Sequence, residues 1–79
     1  MIRHVVLLDF LPGTPLEHVE GIATALRALP ERIPPLRSYE VGIDLGLVAG
    51  NAKLAVLAAF DDLDGYQLYR DDPVHRRII

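Results

Sequence analysis

Residues 52 to 60 read AKLAVLAAF, and apart from Lys53 every side chain in the run is apolar. A run of this length and composition fits a strand with apolar side chains on both faces, and such a strand needs cover on both sides. The chain has only 79 residues with which to supply that cover. Folding at this size hides only about 60% of the surface that the unfolded chain exposes. One layer of helices can cover one face of the sheet, and the other face calls for a second subunit. The expectation is a single domain over residues 1–79 that works as a homodimer.

The segments around this strand supply the rest of the layer. Ile2 to Phe10 reads as a strand whose even face (Ile2, His4, Val6, Leu8, Phe10) is more apolar than its odd face (Arg3, Val5, Leu7, Asp9), so the even face points to the core and carries His4 inward. Thr14-Pro15-Leu16-Glu17 then reads as a helix start, with Thr14 as N-cap, Pro15 in the first helical position and Glu17 three residues after the cap. Leu16, Val19, Ile22, Ala23, Leu26 and Leu29 recur at helical spacing, with His18 at the edge of that stripe, until Pro30 stops the helix and Pro34-Pro35 extends the linker. Leu36 to Gly46 alternates as a second strand, and Gly42 inside it predicts a bulge or a close backbone approach. Gly50-Asn51 marks the turn into the apolar strand. After it, Asp61 or Asp62 can cap a helix with Leu63, Tyr66 and Tyr69 on its apolar side, in which Gly65 costs about 1 kcal/mol relative to Ala. At Asp72-Pro73 the pattern restarts, with Asp72 as cap and Pro73 as first helical residue. The order is β-α-β-β-α, which is the α+β ferredoxin-like arrangement short of its final strand.

Composition removes several functions. The absence of cysteine excludes disulfides and thiolate zinc sites. The net charge is −3, and the basic residues are scattered except at Arg76-Arg77, so there is no electrostatic footprint for nucleic acid. The longest uninterrupted apolar runs, Val5 to Leu8 and Leu54 to Phe60, are too short to cross a bilayer. Arg3, His4 and Asp9 interrupt Met1 to Phe10 and argue against a signal peptide, so a cytoplasmic protein is expected. A phosphate loop, a serine nucleophile motif and a dinucleotide fingerprint are all missing, and no cofactor is expected.

The segments IRHVVLLDF, LRALPERIPPLRSYEVGIDLGL, LAVLAAFDD and DDPVHR, taken in order with the Gly50-Asn51 turn, resemble the stress-responsive A/B barrel (Dabb) family throughout the chain. The resemblance implies a homodimeric α+β barrel in which two ferredoxin-like sheets pack face to face. It also implies a continuation beyond Ile79 that finishes the last helix and adds a strand. Family members commonly read His-Pro-x-His where this chain has Asp72-Pro73-Val74-His75, so the first histidine of that motif is replaced. Members include a plant polyketide cyclase that closes a ring by an aldol reaction. Three positions here match the two histidines and the tyrosine of the cyclase-like members: His4, Tyr69 and His75.

The residue types suit that chemistry. An aldol closure needs a base to take a proton from the carbon beside a carbonyl, and a donor to hold the resulting oxyanion. In the third position of a helix capped by Asp72, His75 would feel the positive end of the helix dipole, which disfavours its charged form and keeps it available as a base. Tyr69 could then donate to the substrate oxygen while His4 orients either group. Packing explains the same residues more simply, since Tyr69 lies on an apolar stripe and His4 on an inward strand face. Asp71, Asp72 and His75 could also resemble a metal site, although carboxylates at a helix start are ordinarily caps and no second cluster supplies ligands. Asp61, Asp62 and Asp64 read as a solvated helix start. Three readings remain: a dimeric module binding a small apolar or ketone-bearing, polyketide-like molecule, a cyclase using His75 as base, and a structural dimer whose pocket is filled by its own side chains.

Overall fold

The computed structural model describes residues 1–78, so Ile79 and any continuation beyond it lie outside the described residues. The elements run β1 (Ile2–Leu8), α1 (Leu16–Arg27), α2 (Leu29–Arg32), β2 (Ser38–Ile43), β3 (Leu54–Phe60), α3 (Leu63–Asp71) and α4 (Pro73–Ile78). The strands form one antiparallel sheet in the order β1-β3-β2, with the apolar strand in the centre. This is the α+β ferredoxin-like arrangement expected from the element order.

Register places side chains in rows across the sheet. On the helix side the rows are His4, Ala58 and Tyr39, then Val6, Val56 and Val41, then Leu8, Leu54 and Ile43. Helices cover this side, and Val19, Ala23, Leu26, Leu29, Ile33, Leu54, Val56, Ala58, Phe60 and Tyr69 are buried. The other side carries Arg3, Ala59 and Ser38, then Val5, Leu57 and Glu40, then Leu7, Ala55 and Gly42. It is open: Val5, Leu7 and Leu57 are 59%, 67% and 44% exposed. A compact monomer of 8.8 kDa would expose about 4,800 Å². This chain exposes 5575 Å². The excess is close to the roughly 800 Å² that one partner contributes to an ordinary protein interface.

Several local expectations are corrected. β1 ends at Leu8 rather than Phe10, and β2 is shorter than Leu36 to Gly46. Thr14 does not cap α1; Pro15 holds the cap position with no side-chain bond. Gly13, at φ +86°, turns the chain so that the Thr14 hydroxyl and backbone N–H both donate to the Leu11 carbonyl, at 2.6 and 3.1 Å. That hydroxyl is thereby committed to closing the turn. Leu16 consequently points outward and is 62% exposed. Nor is Pro30 the stop of α1, because the chain breaks at Ala28 and Pro30 sits in the first turn of α2, where its missing N–H costs nothing. Gly42 makes no bulge; it pairs regularly with Ala55, and a Cβ built there meets nothing within 4 Å. Gly65 has the opposite surroundings. A Cβ there would come within 3.1 Å of the Pro35 Cβ, so this glycine lets α3 lie close against the linker.

Candidate functional site

His4, Tyr69 and His75 come together between the sheet and α3–α4. β1 carries His4 on its core face, beside Ala58 on β3. The small Ala58 leaves room above the sheet, and the Tyr69 ring is buried there with 2% of its surface exposed. Its ring centre lies 6.3 Å from His4, 5.4 Å from Phe60 and 4.1 Å from His75. Tyr66 stands next to His4, with ring centres 5.1 Å apart.

The Asp-Pro break determines where His75 lies. In one continuous helix, six residues would rotate His75 about 240° away from Tyr69, at 100° per residue. Instead Asp72 takes an extended conformation, φ −60° and ψ 129°, and a new helix starts behind it. One oxygen of the Asp72 carboxylate accepts from the Val74 and His75 backbone N–H groups, at 2.9 and 3.1 Å, and Arg32 donates to the same carboxylate at 3.1 Å. Burial pushes this carboxyl up, but the His75 N–H, the Arg32 guanidinium and the Val74 N–H together hold it below the usual carboxylate range. The Asp72 cap and the Pro73 start were legible in the sequence. At the start of α3 the choice falls on Asp62, which accepts from the Gly65 N–H at 2.9 Å, while Asp61 pairs with Arg37 at 2.7 Å.

The chemistry available at the cluster follows from what is paired. Tyr69 Oη lies 3.0 Å from Oη of Tyr39, a residue of β2 that the sequence alone assigned to no site. Burial pushes both phenols up, so each keeps its proton at neutral pH. Among the described residues His75 Nδ1 is buried and makes no hydrogen bond of good geometry, although the Arg70 backbone carbonyl lies near the ring. Burial also lowers the His75 pKa, outweighing the Arg70 backbone and the Asp72 carboxylate, which favour the charged form; His4 adds to the lowering. The ring is therefore neutral at physiological pH. Among the described residues, five of the surface clefts range from about 130 to 580 Å³; His4 lines the smallest of these, and neither Tyr69 nor His75 lines any of the five. In this state the space between helix and sheet is filled by Tyr69 itself.

Other candidates have plainer surroundings. Asp71 pairs with Arg70 at 3.0 Å, and Asp72 is engaged as described. Among the described residues no group of three His, Cys, Asp or Glu side chains is placed to hold a metal ion. His18 is exposed and meets Phe10 edge-on with ring centres 6.5 Å apart. Among the described residues no helix is long and apolar enough to cross a membrane.

A three-stranded antiparallel sheet with helices on one face and an open, largely apolar second face defines a ferredoxin-like α+β domain. The chain belongs to the stress responsive A/B barrel domain (Dabb) family, whose model matches residues 2–79. Solved structures agree with that placement. A dimeric ferredoxin-like protein of unknown function from Thermobifida fusca is 43% identical, with a TM-score of 0.85 over 96% of this chain and 72% of the other. A dimeric protein of unknown function and ferredoxin-like fold from Bacteroides fragilis is 28% identical, with a TM-score of 0.83 over 96% of this chain and 77% of its own. The hydroxynitrile lyase from Passiflora edulis, 18% identical with a TM-score of 0.79 over 96% and 74% of the two chains, shares the fold. No curated protein matches the chain.

Proposed function

We propose that the protein is a homodimer that binds a small, largely apolar, carbonyl-bearing molecule at the aromatic cluster between the sheet and α3–α4. The observation that carries this reading is His75 Nδ1, a buried polar atom without a hydrogen bond of good geometry among the described residues. Leaving such an atom unpaired costs about 1–3 kcal/mol. A ligand group that meets it would recover that energy. The surroundings suit an apolar molecule, since His4, Phe60, Tyr66 and Tyr69 supply ring faces and edges. No residue of α4 is fully buried, so lifting this helix is the least costly way to admit a ligand. The open sheet face is the surface on which the second copy packs.

The same groups support a cyclase extension of this reading. A neutral His75 takes the proton from the carbon between two carbonyls; the C–H electron pair moves into the enolate, whose oxygen a phenol O–H holds. The enolate carbon then attacks a second carbonyl within the same molecule, forming the ring bond, and the new alkoxide takes a proton back from the imidazolium. His4, Tyr69 and His75 are the residues assigned to this work. The competing reading is a structural dimer without a ligand, and the complete burial of Tyr69 favours it.

The test titrates the protein with a poly-β-ketone while following backbone amide resonances and product, in parent, Tyr69→Phe and His75→Ala proteins. Shifts centred on His4, Tyr69 and His75 are expected. A parent spectrum unmoved by the compound would leave the structural dimer. Binding accompanied by cyclised product at equal rates in all three proteins would remove the cyclase extension alone.

A further inference from the structure

Tyr39 belongs to this cluster through a bond that no local pattern announces. It rises from β2 in the same row as His4, with Ala58 between them, and its hydroxyl meets that of Tyr69 at 3.0 Å. The two rings stand edge to face, 5.8 Å apart at 65°. Two phenols that bond to each other bring two hydrogens, and only one of them lies between the oxygens. Whichever hydroxyl donates, the proton of the other has no acceptor among the described residues. The cluster therefore holds one spare O–H donor and, on the His75 ring whose centre lies 4.1 Å from that of Tyr69, one ring nitrogen without a hydrogen bond among the described residues, Nδ1.

We infer that Tyr39 is a positioning residue of the ligand site: its hydroxyl fixes that of Tyr69 so that the pair offers a single O–H to a carbonyl oxygen of the ligand. The inference rests on the reading of the cluster as a site for a carbonyl-bearing ligand and adds to it a residue and the role of that residue. A hydroxyl that already accepts a hydrogen bond is a stronger donor through its own proton, so the pair holds an oxygen better than either phenol alone. A ketone oxygen, which brings lone pairs and no hydrogen, matches a lone donor.

Two probes of similar size separate this role from packing: 1-phenylbutane-1,3-dione, which carries the carbonyls, and butylbenzene, which does not. Binding of each is measured to the parent, Tyr39→Phe, Tyr69→Phe and the double variant, with circular dichroism confirming the fold. The expected result is about a tenfold loss of diketone affinity in each single variant, and no further loss in the double, because the hydroxyls act as one unit. Butylbenzene affinity should stay within twofold throughout. In the parent, the Tyr39 ring resonances should move with the diketone and not with butylbenzene, a readout that needs no variant. Equal diketone binding by parent and Tyr39→Phe would overturn the inference and leave the site reading standing. Equal losses for both probes would also overturn it, since Tyr39 would then act by packing alone. A parent that binds no diketone overturns the inference and the site reading together.

Discussion

Burial holds the His75 imidazole below its ordinary value of 6.5, and this sets the direction of a pH effect. As pH falls through 6.5, the unfolded chain takes up a proton at His75 that the folded chain resists. The unfolded state then binds more protons, so this histidine's contribution to stability is intact above 6.5 and is lost on acidification. Urea midpoints at pH 7.5 and 5.5 should therefore differ more for the parent than for His75→Gln. An identical difference in both proteins would show that His75 titrates as it does in the unfolded chain. The inward strand face, the apolar helix stripe and the Asp-Pro restart are each written locally, but it is the family resemblance that singles out His4, Tyr69 and His75 as a set. Tyr39 was readable only as an alternating residue of the second strand. Its partner lies thirty residues away, and that bond exists only once β2 and α3 are packed together. Thr14 failed for a related reason, since a hydroxyl that reads as a cap can serve a tight turn just as well.

The strands and helices followed from spacing, while their ends and their glycines depended on neighbours that spacing does not specify. Gly42 and Gly65 make the contrast measurable. Gly42 lies in a regular pair on the open face with empty space beside it. In a Leu57→Glu background, which displaces the second copy from this face, Gly42→Val should leave stability within about 0.5 kcal/mol, or raise it, since valine favours a strand. Gly65→Ala should not give the gain of about 1 kcal/mol that helix propensity alone would predict, because the new methyl presses on Pro35. Chemical denaturation of both variants decides the matter. A loss above about 1 kcal/mol for Gly42→Val would restore the close-approach reading of that strand. A full propensity gain for Gly65→Ala would mean that the linker gives way freely. The Asp72 break is the element whose sequence signal and structural consequence agree most fully, since cap, proline and restart together return His75 to Tyr69.

At the scale of the molecule, one side of the sheet is finished and the other is not. The helices bury Leu54, Val56, Ala58 and Phe60 of β3, while Leu57 of the same strand and Val5 and Leu7 of β1 face outward. An apolar stretch so placed at the centre of a sheet is hard to explain in a monomer, and the Thermobifida fusca and Bacteroides fragilis relatives are dimeric. The polar end of this face, Arg3 with Ser38 and Glu40, gives a second copy hydrogen-bonding groups with which to fix its orientation. Sedimentation equilibrium at micromolar concentration, on the parent and on Leu57→Glu, tests this most directly. The parent should sediment with the mass of two chains, and Leu57→Glu, which sets a charge in the middle of the apolar face, should shift toward one. A parent that sediments as a well-folded single chain would contradict the account.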